Sequence, residues 1–217
     1  MMAQKKPVAK KRIVTLYDLE VVLLHTPSVV WRRLRVPGDA NLGWLHAVIQ
    51  VAMGWTNSHL HQFRAGRELF SETRHHFAEF VGDPEILDEH KCALEELAPE
   101  VQDRLVYTYD FGDTWEHAIT VEQRLYLDDA MAGTALCLGG ARACPPEDCG
   151  GPSGYAELLK TLKNRKHPEH KSMKEWLGRP FDAESFDPAK TNTCLGLLKW
   201  PRVTESQLAK VLMARDL

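Results

Sequence analysis

Apolar residues recur along this chain with two periods, and the change from one to the other marks out the elements. RIVTLYDLEVVLL (12–24) and VVWRRLRVP (29–37) are β-rich. The HTPS between them predicts a hairpin turning around Pro27 and Ser28. HLHQFRAGRELFSE (59–72) reads as a second hairpin, turned at Ala65–Gly66, and LVYTYDFGDTWEHAITVE (105–122) as a third. In the third, Leu105, Tyr107 and Tyr109 share one face of the first strand, and Trp115, His117, Ile119 and Val121 share one face of the second.

Between these runs the period lengthens. Leu42, Leu45, Val48, Ile49 and Ala52 fall at helical spacing, with Asn41 placed to cap the helix and Gly54 to end it. DPEILDEHKCALEELAPE (83–100) is acidic and mildly helical, and predicts short helical turns at the surface. A Gly/Pro/Cys-rich loop runs from about 133 to 154. A helix from Tyr155 carries Leu158, Leu159 and Leu162; HKSMKEWLG predicts a short helix stopped by Gly178. In TESQLAKVLMARDL, Thr204 and Gln207 form a capping box ahead of Leu208, Val211 and Leu212.

Hairpin, helix, two hairpins, then helices predicts an α+β fold: a mostly antiparallel sheet built from hairpins, with helices packed on it. The hairpin–helix–hairpin opening suggests a β-grasp-like arrangement, followed by a C-terminal helical appendage. The boundaries implied are a flexible basic arm at 1–12, an α+β domain at 13–193 and a helical extension at 194–217.

Composition narrows the class. The 217 residues are 44% hydrophobic and 26% charged, an ordinary water-soluble balance. The longest purely aliphatic run is VVLL (21–24), far short of a bilayer span, and no apolar segment follows the basic N-terminus before the first strand. A cytoplasmic protein without membrane contact is the expectation. Net charge is −3, yet residues 1–12 carry five basic side chains and no acid. Such an arm is either simply solvated or makes a weak nucleic-acid contact through counterion release. The acidic remainder argues against a broad nucleic-acid footprint.

Candidate chemistry gathers in three places. Asp110-Phe111-Gly112-Asp113 is good turn chemistry. Strand alternation would also aim Asp113, Trp115 and His117 the same way, so that a carboxylate could orient an imidazole. The i, i+2 pair His59 and His61 could serve a metal. The loop CLGGARACPPEDCGG spaces its cysteines as C-x6-C-x4-C. Cys137, Cys144 and Cys149, with His117 or His59 as a fourth ligand, form one reading, a structural zinc site. The other reading is small cysteines buried against the sheet. Five cysteines without a signal peptide do not make a disulfide framework. Arg33 and Arg35, opposite Arg32 on their strand, suggest an exposed basic face, with an acid- or phosphate-binding stripe as the alternative.

Four blocks combine into a wider resemblance: PSVVWRRLRVP; the run from Leu42 through Trp55 to HLHQF; Y-x-YDFGDTWEH-x-I-x-VE; and RACPPEDCGGPSGY. Together they resemble the Ri-plasmid ORF-3-like family over roughly residues 14–190. The resemblance implies a soluble α+β protein, some relatives of which lie on plasmids or beside transposable elements, as mobile-element passengers. It carries over no catalytic residue. Its motif residues are Trp31, Arg32, His46, Trp55, His59, His61, Asp110, Gly112, Asp113, Trp115, His117, Cys144, Glu147, Asp148 and Cys149; Glu116 stands among them as a further binding candidate.

Three functional readings stand. The first is a non-enzymatic binding or interaction module, with mobile DNA as one partner. The second is a metal-dependent hydrolase or nuclease-like enzyme using His59, His61, Asp113, Glu116 and His117. The third is a purely structural domain with a cysteine-loop zinc site. The sequence favours a non-enzymatic protein and fixes neither ligand nor cofactor, zinc being the one cofactor it suggests.

Overall fold

The structure is a computed structural model and describes residues 13–72, 85–128 and 133–215. The basic arm at 1–12 lies outside the described residues. Eight strands form one open sheet in the order β5–β4–β3–β6–β7–β1–β2–β8. They are β1 (Ile13–Leu23), β2 (Val30–Pro37), β3 (His61–Ala65), β4 (Glu68–Ser71), β5 (Ile86–Asp88), β6 (Arg104–Tyr109), β7 (Trp115–Asp128) and β8 (Leu136–Ala141). Neighbours are antiparallel except β4 and β5. The hairpins β1–β2, β3–β4 and β6–β7 are those the alternation predicts. The long β7 pairs with β6 at its start and with β1 along its length, fusing the hairpins into one sheet.

The α+β expectation holds, but its β-grasp part is corrected. A grasp sheet would set a parallel strand beside β1, whereas β1 runs between antiparallel β2 and β7.

Helix α1 (Leu42–Met53) starts where the Asn41 side chain accepts the Trp44 N–H at 2.8 Å, and ends at Gly54, whose φ of 106° suits glycine. It is buried nearly all round, because the sheet lies on one side and α5 (Pro188–Leu195) and α6 (Glu205–Arg215) pack on the other. The short α2 (Leu94–Leu97), α3 (Gly151–Lys163) and α4 (His170–Leu177) complete six α-helices among the described residues. No helix among them is long and apolar enough to cross a membrane.

Three elements escape the pattern. β5 lies in the acidic run, which otherwise holds the expected short helical turns at Glu89–Lys91 and in α2. β8 lies in the loop expected to be irregular. It is the sheet edge, and Gly140 lets it close up, since a Cβ there would stand 2.7 Å from the Trp31 carbonyl oxygen. Asn192 of α5 then covers that edge, accepting the Cys137 N–H at 2.6 Å and donating to the Cys137 carbonyl at 2.9 Å. α5 itself is mostly polar and shows no apolar stripe.

The basic strand β2 is also placed differently from its exposed expectation. Arg32 alternates with Val30, Leu34 and Val36 on the core face and is 1% exposed. Its guanidinium donates to the carbonyls of Ala52 (2.7 Å), Trp31 (2.8 Å), Ala141 (3.0 Å) and Arg142 (2.9 Å), and lies over the Phe186 ring. Arg32 thus ties the carboxyl end of α1, where a cation is favoured, to the edge strand. On the opposite face Arg33 pairs with Glu122 and Arg35 with Asp18, so internal acids occupy the proposed stripe.

Candidate functional site

The turn that closes β6–β7 begins at Asp110, which takes a left-handed φ of 57°. Its Oδ1 accepts the Gly112 N–H at 2.9 Å, and its carbonyl accepts the Thr114 N–H at 2.6 Å. The turn is fastened to α3: Asp113 Oδ2 accepts the Gly150 N–H at 3.1 Å, and Gly151 lies so close that a Cβ would stand 2.6 Å from the Asp113 carbonyl oxygen. The loop ahead of α3 folds back over residues 55–59. Trp55 Nε1 donates to the Pro145 carbonyl at 3.2 Å. Glu147 Oε1 accepts from the Thr56 N–H (2.8 Å), the Thr56 hydroxyl (2.9 Å) and the Tyr109 hydroxyl (3.1 Å).

These fastenings bring three carboxylates around one imidazole nitrogen. His59 Nε2 lies 3.2 Å from Asp148 Oδ1, 3.7 Å from Asp110 Oδ2 and 3.7 Å from Glu147 Oε2. His59 Nε2 and Glu147 Oε2 are both buried and make no hydrogen bond. Most of these separations are too long for hydrogen bonds. Donor atoms that share one ion at about 2.1 Å stand roughly 3.0–3.4 Å apart, a spacing that the Asp148 contact meets and the two 3.7 Å separations slightly exceed. Among the described residues, His59, Asp110 and Asp148 are the group of three His, Cys, Asp or Glu side chains whose donor atoms could share a cation.

His59 also borders a cleft of about 830 Å³, walled by His46, Asn57, His61, Glu89 and His90 and closed on one side by the start of α6. Its floor is a closed ring of hydrogen bonds. The Asn57 N–H donates to Gln50 Oε1 (2.9 Å), and Gln50 Nε2 donates to the Tyr107 hydroxyl (3.0 Å). His46 Nε2 meets Asn57 Oδ1 at 2.8 Å and must carry the proton there, because that oxygen only accepts. A neutral His46 then accepts the Tyr107 hydroxyl proton at Nδ1, also at 2.8 Å. Burial agrees, holding His46 well below the ordinary imidazole range and Tyr107 well above the phenol range. The His61 ring stacks on His46 at 3.5 Å and meets Glu89 Oε2 at 2.8 Å. Burial pushes the Glu89 carboxyl up to about 7, so it changes charge near neutrality.

The structure separates the remaining candidates. His59 and His61 do not share a strand face: His59 precedes β3 and turns to the acids, whereas His61 turns inward to Glu89. Asp113 serves the α3 anchor. Glu116 lies on the outer face, 3.3 Å from His25. His117 is fully buried, with Nδ1–H donating to the Tyr107 carbonyl at 3.1 Å and the Trp55 ring edge-on at 5.0 Å. Burial pushes its imidazole down to about 3. Trp55 and Trp115 are core side chains, and Trp31 is half-buried near Arg33.

The donor atoms of the zinc set Cys137, Cys144, Cys149 and His117 do not form a converging group among the described residues. The Cys137 thiol donates to the Gly139 carbonyl, and burial pushes Cys149 up to about 12, both favouring protonated thiols. The cysteine loop's contribution to the site is Glu147 and Asp148.

Sequence reasoning missed Glu89, which nothing local distinguishes within its acidic run. Gln50 could have been found. With His46 it forms an i, i+4 polar pair on an otherwise apolar helix, which calls for buried partners.

A family model described as plasmid pRiA4b ORF-3-like protein matches residues 15–190, a span holding every residue of the cluster and of the hydrogen-bonded ring. The uncharacterized protein y4hQ of Sinorhizobium fredii (strain NBRC 101917 / NGR234) is 35% identical over 193 residues, or 88% of this chain and 96% of that protein. The crystal structure of MM3350, a protein of unknown function from Methanosarcina mazei Go1, is similar with a TM-score of 0.70. It is 33% identical, covering 81% of this chain and 97% of that one.

Proposed function

The chain belongs to the plasmid pRiA4b ORF-3-like family, and on that premise we propose that its cleft binds a small polar ligand beside a divalent cation held by His59, Asp110 and Asp148. The observation that carries this is the convergence of His59, Asp110 and Asp148, whose donor atoms all lie within 4.8 Å of one another around a buried His59 Nε2 that makes no hydrogen bond. One imidazole among carboxylates suits manganese, magnesium or zinc. Glu147, fixed through Oε1, holds Oε2 3.7 Å from His59 Nε2, beside the three-residue group. A cleft of about 830 Å³ lies within the range of small-molecule sites, and its polar walls call for a polar ligand.

Metal-dependent hydrolysis is the second reading. It is favoured by the Glu89–His61 pair, which places a proton acceptor on the cleft that His59 borders. A cation there would lower the pKa of a bound water and orient it toward the ligand.

Titration with Mn²⁺, followed by the loss of its free-ion electron paramagnetic resonance signal, tests the cation site. One ion per chain is expected, with affinity falling at least about tenfold in Asp110→Asn and in His59→Ala. The asparagine keeps the Asp110 turn acceptor, so its loss of affinity would not reflect a broken turn. No saturable binding up to about 1 mM, or equal binding by both variants, would contradict the proposal.

A further inference from the structure

A second surface lies outside the cleft, on α3 and α4. Residues 160–179, the end of α3 and all of α4, hold seven basic side chains and two acidic ones in a chain whose net charge is −3. Lys160, Lys163, Arg165, Lys166, Lys171, Lys174 and Arg179 are all exposed. Lys160 pairs with Glu157 and Lys171 with Glu175, both at the surface, where such pairs hold little energy. α4 buries none of its residues fully; Met173 and Leu177 pack against the core, and its other side chains are left to solvent or to the groove.

Three of these cations converge on one groove. Arg165, His170, Lys174 and Arg179 line a groove of about 260 Å³, with Leu162, Leu177 and Phe181 among its apolar lining. The His170 Nδ1–H donates to the Thr161 carbonyl at 3.0 Å, which fixes the ring at the groove wall. Leu177, Arg179 and Phe181 also line an adjoining groove together with Glu147 and with Trp176, an indole left 50% exposed on α4. Cations that track a backbone, next to an exposed aromatic face, are the two components of a single-strand site.

We propose that the α3–α4 groove binds a single-stranded nucleic acid, with Arg165, Lys174 and Arg179 on its phosphates and Trp176 stacking on a base. A membrane surface fits less well, because the apolar side chains line a groove instead of projecting from a flat face. Duplex DNA fits less well too, since the eight residues of α4 span only about 12 Å. The proposal does not depend on the cation site, and chelator in the assay keeps the two apart.

The test is fluorescence anisotropy of a labelled oligothymidine of about 16 nucleotides, with full-length protein, low salt and EDTA. Binding that weakens steeply with salt is expected. Arg165→Glu/Lys174→Glu should weaken it at least about tenfold and make the log–log salt slope shallower by about 1 to 2. Trp176→Ala should weaken it roughly tenfold while leaving that slope unchanged. All three residues are exposed, and unchanged thermal melts would confirm that the variants fold. Absence of binding, equal binding by the charge-reversal variant, or loss only on deleting residues 1–12 would overturn the proposal. So would binding to phosphatidylserine vesicles without binding to the oligonucleotide.

Discussion

Arg32 and His117 show how a residue's neighbours decide its role. A cation at 1% exposure would be costly, but four carbonyl oxygens surround it. Arg32→Met should therefore destabilise the fold by about 2–4 kcal/mol in denaturant unfolding, because it strands those carbonyls. Arg32→Lys should recover little, since an ammonium cannot span the fork. His117 is neutral when folded, with its imidazole near 3 against an ordinary 6.5. The unfolded chain takes up the proton first, so this stability is complete above about 6.5 and lost as pH falls toward 3, by up to about 5 kcal/mol. Glu89 works in the opposite direction. Its carboxyl, raised from 4.5 to about 7, stays protonated in the folded chain while the unfolded chain ionises. Stability from this group therefore falls as pH rises from about 4.5 to 7. Glu89→Gln should gain on the wild type across that window by an amount on the order of 3 kcal/mol, measured by urea unfolding at several pH values. A constant difference between the two proteins would contradict this.

Elements with their own local signals were legible in the sequence. The three hairpins announce themselves by alternation, α1 by its spacing and its caps at Asn41 and Gly54, α4 by Gly178, and α6 by the Thr204–Gln207 box, whose two hydrogen bonds form at 3.0 and 3.3 Å. Elements that owe their shape to distant partners were not. β8 exists because β2 offers an edge and Gly140 permits the approach; α5 is polar and is defined by what it covers. The site divides in the same way. Its residues sit in recognisable motifs, but His59, Asp110 and Asp148 come from three segments, joined by Glu147 and by the α3 anchor on Asp113. Period-two logic had instead grouped Asp113 with His117. Gly151→Ala tests the anchor: with φ at 66° and the Asp113 carbonyl in the way, it should destabilise the protein by more than about 1 kcal/mol and also weaken Mn²⁺ binding. Destabilisation with metal affinity untouched would mean that the anchor does not position Asp148.

For the molecule as a whole, the sheet, α1 and the C-terminal helices share one core. Leu208, Val211 and Leu212 of α6 are buried in it, and Leu208 also borders the cleft. A chain ending at residue 198 should melt lower by an amount on the order of 10 °C, since three aliphatic side chains lose their burial. An unchanged melting temperature would show that α6 is a separable appendage. The central claim is that this architecture brings an imidazole and carboxylates from distant segments around one cation. The most direct measurement is anomalous diffraction from crystals grown with Mn²⁺. The account predicts one strong peak within about 2.0–2.4 Å of His59 Nε2 and of carboxylate oxygens from Asp110 and Asp148. A site empty at millimolar Mn²⁺, or a peak elsewhere on the molecule, would contradict it.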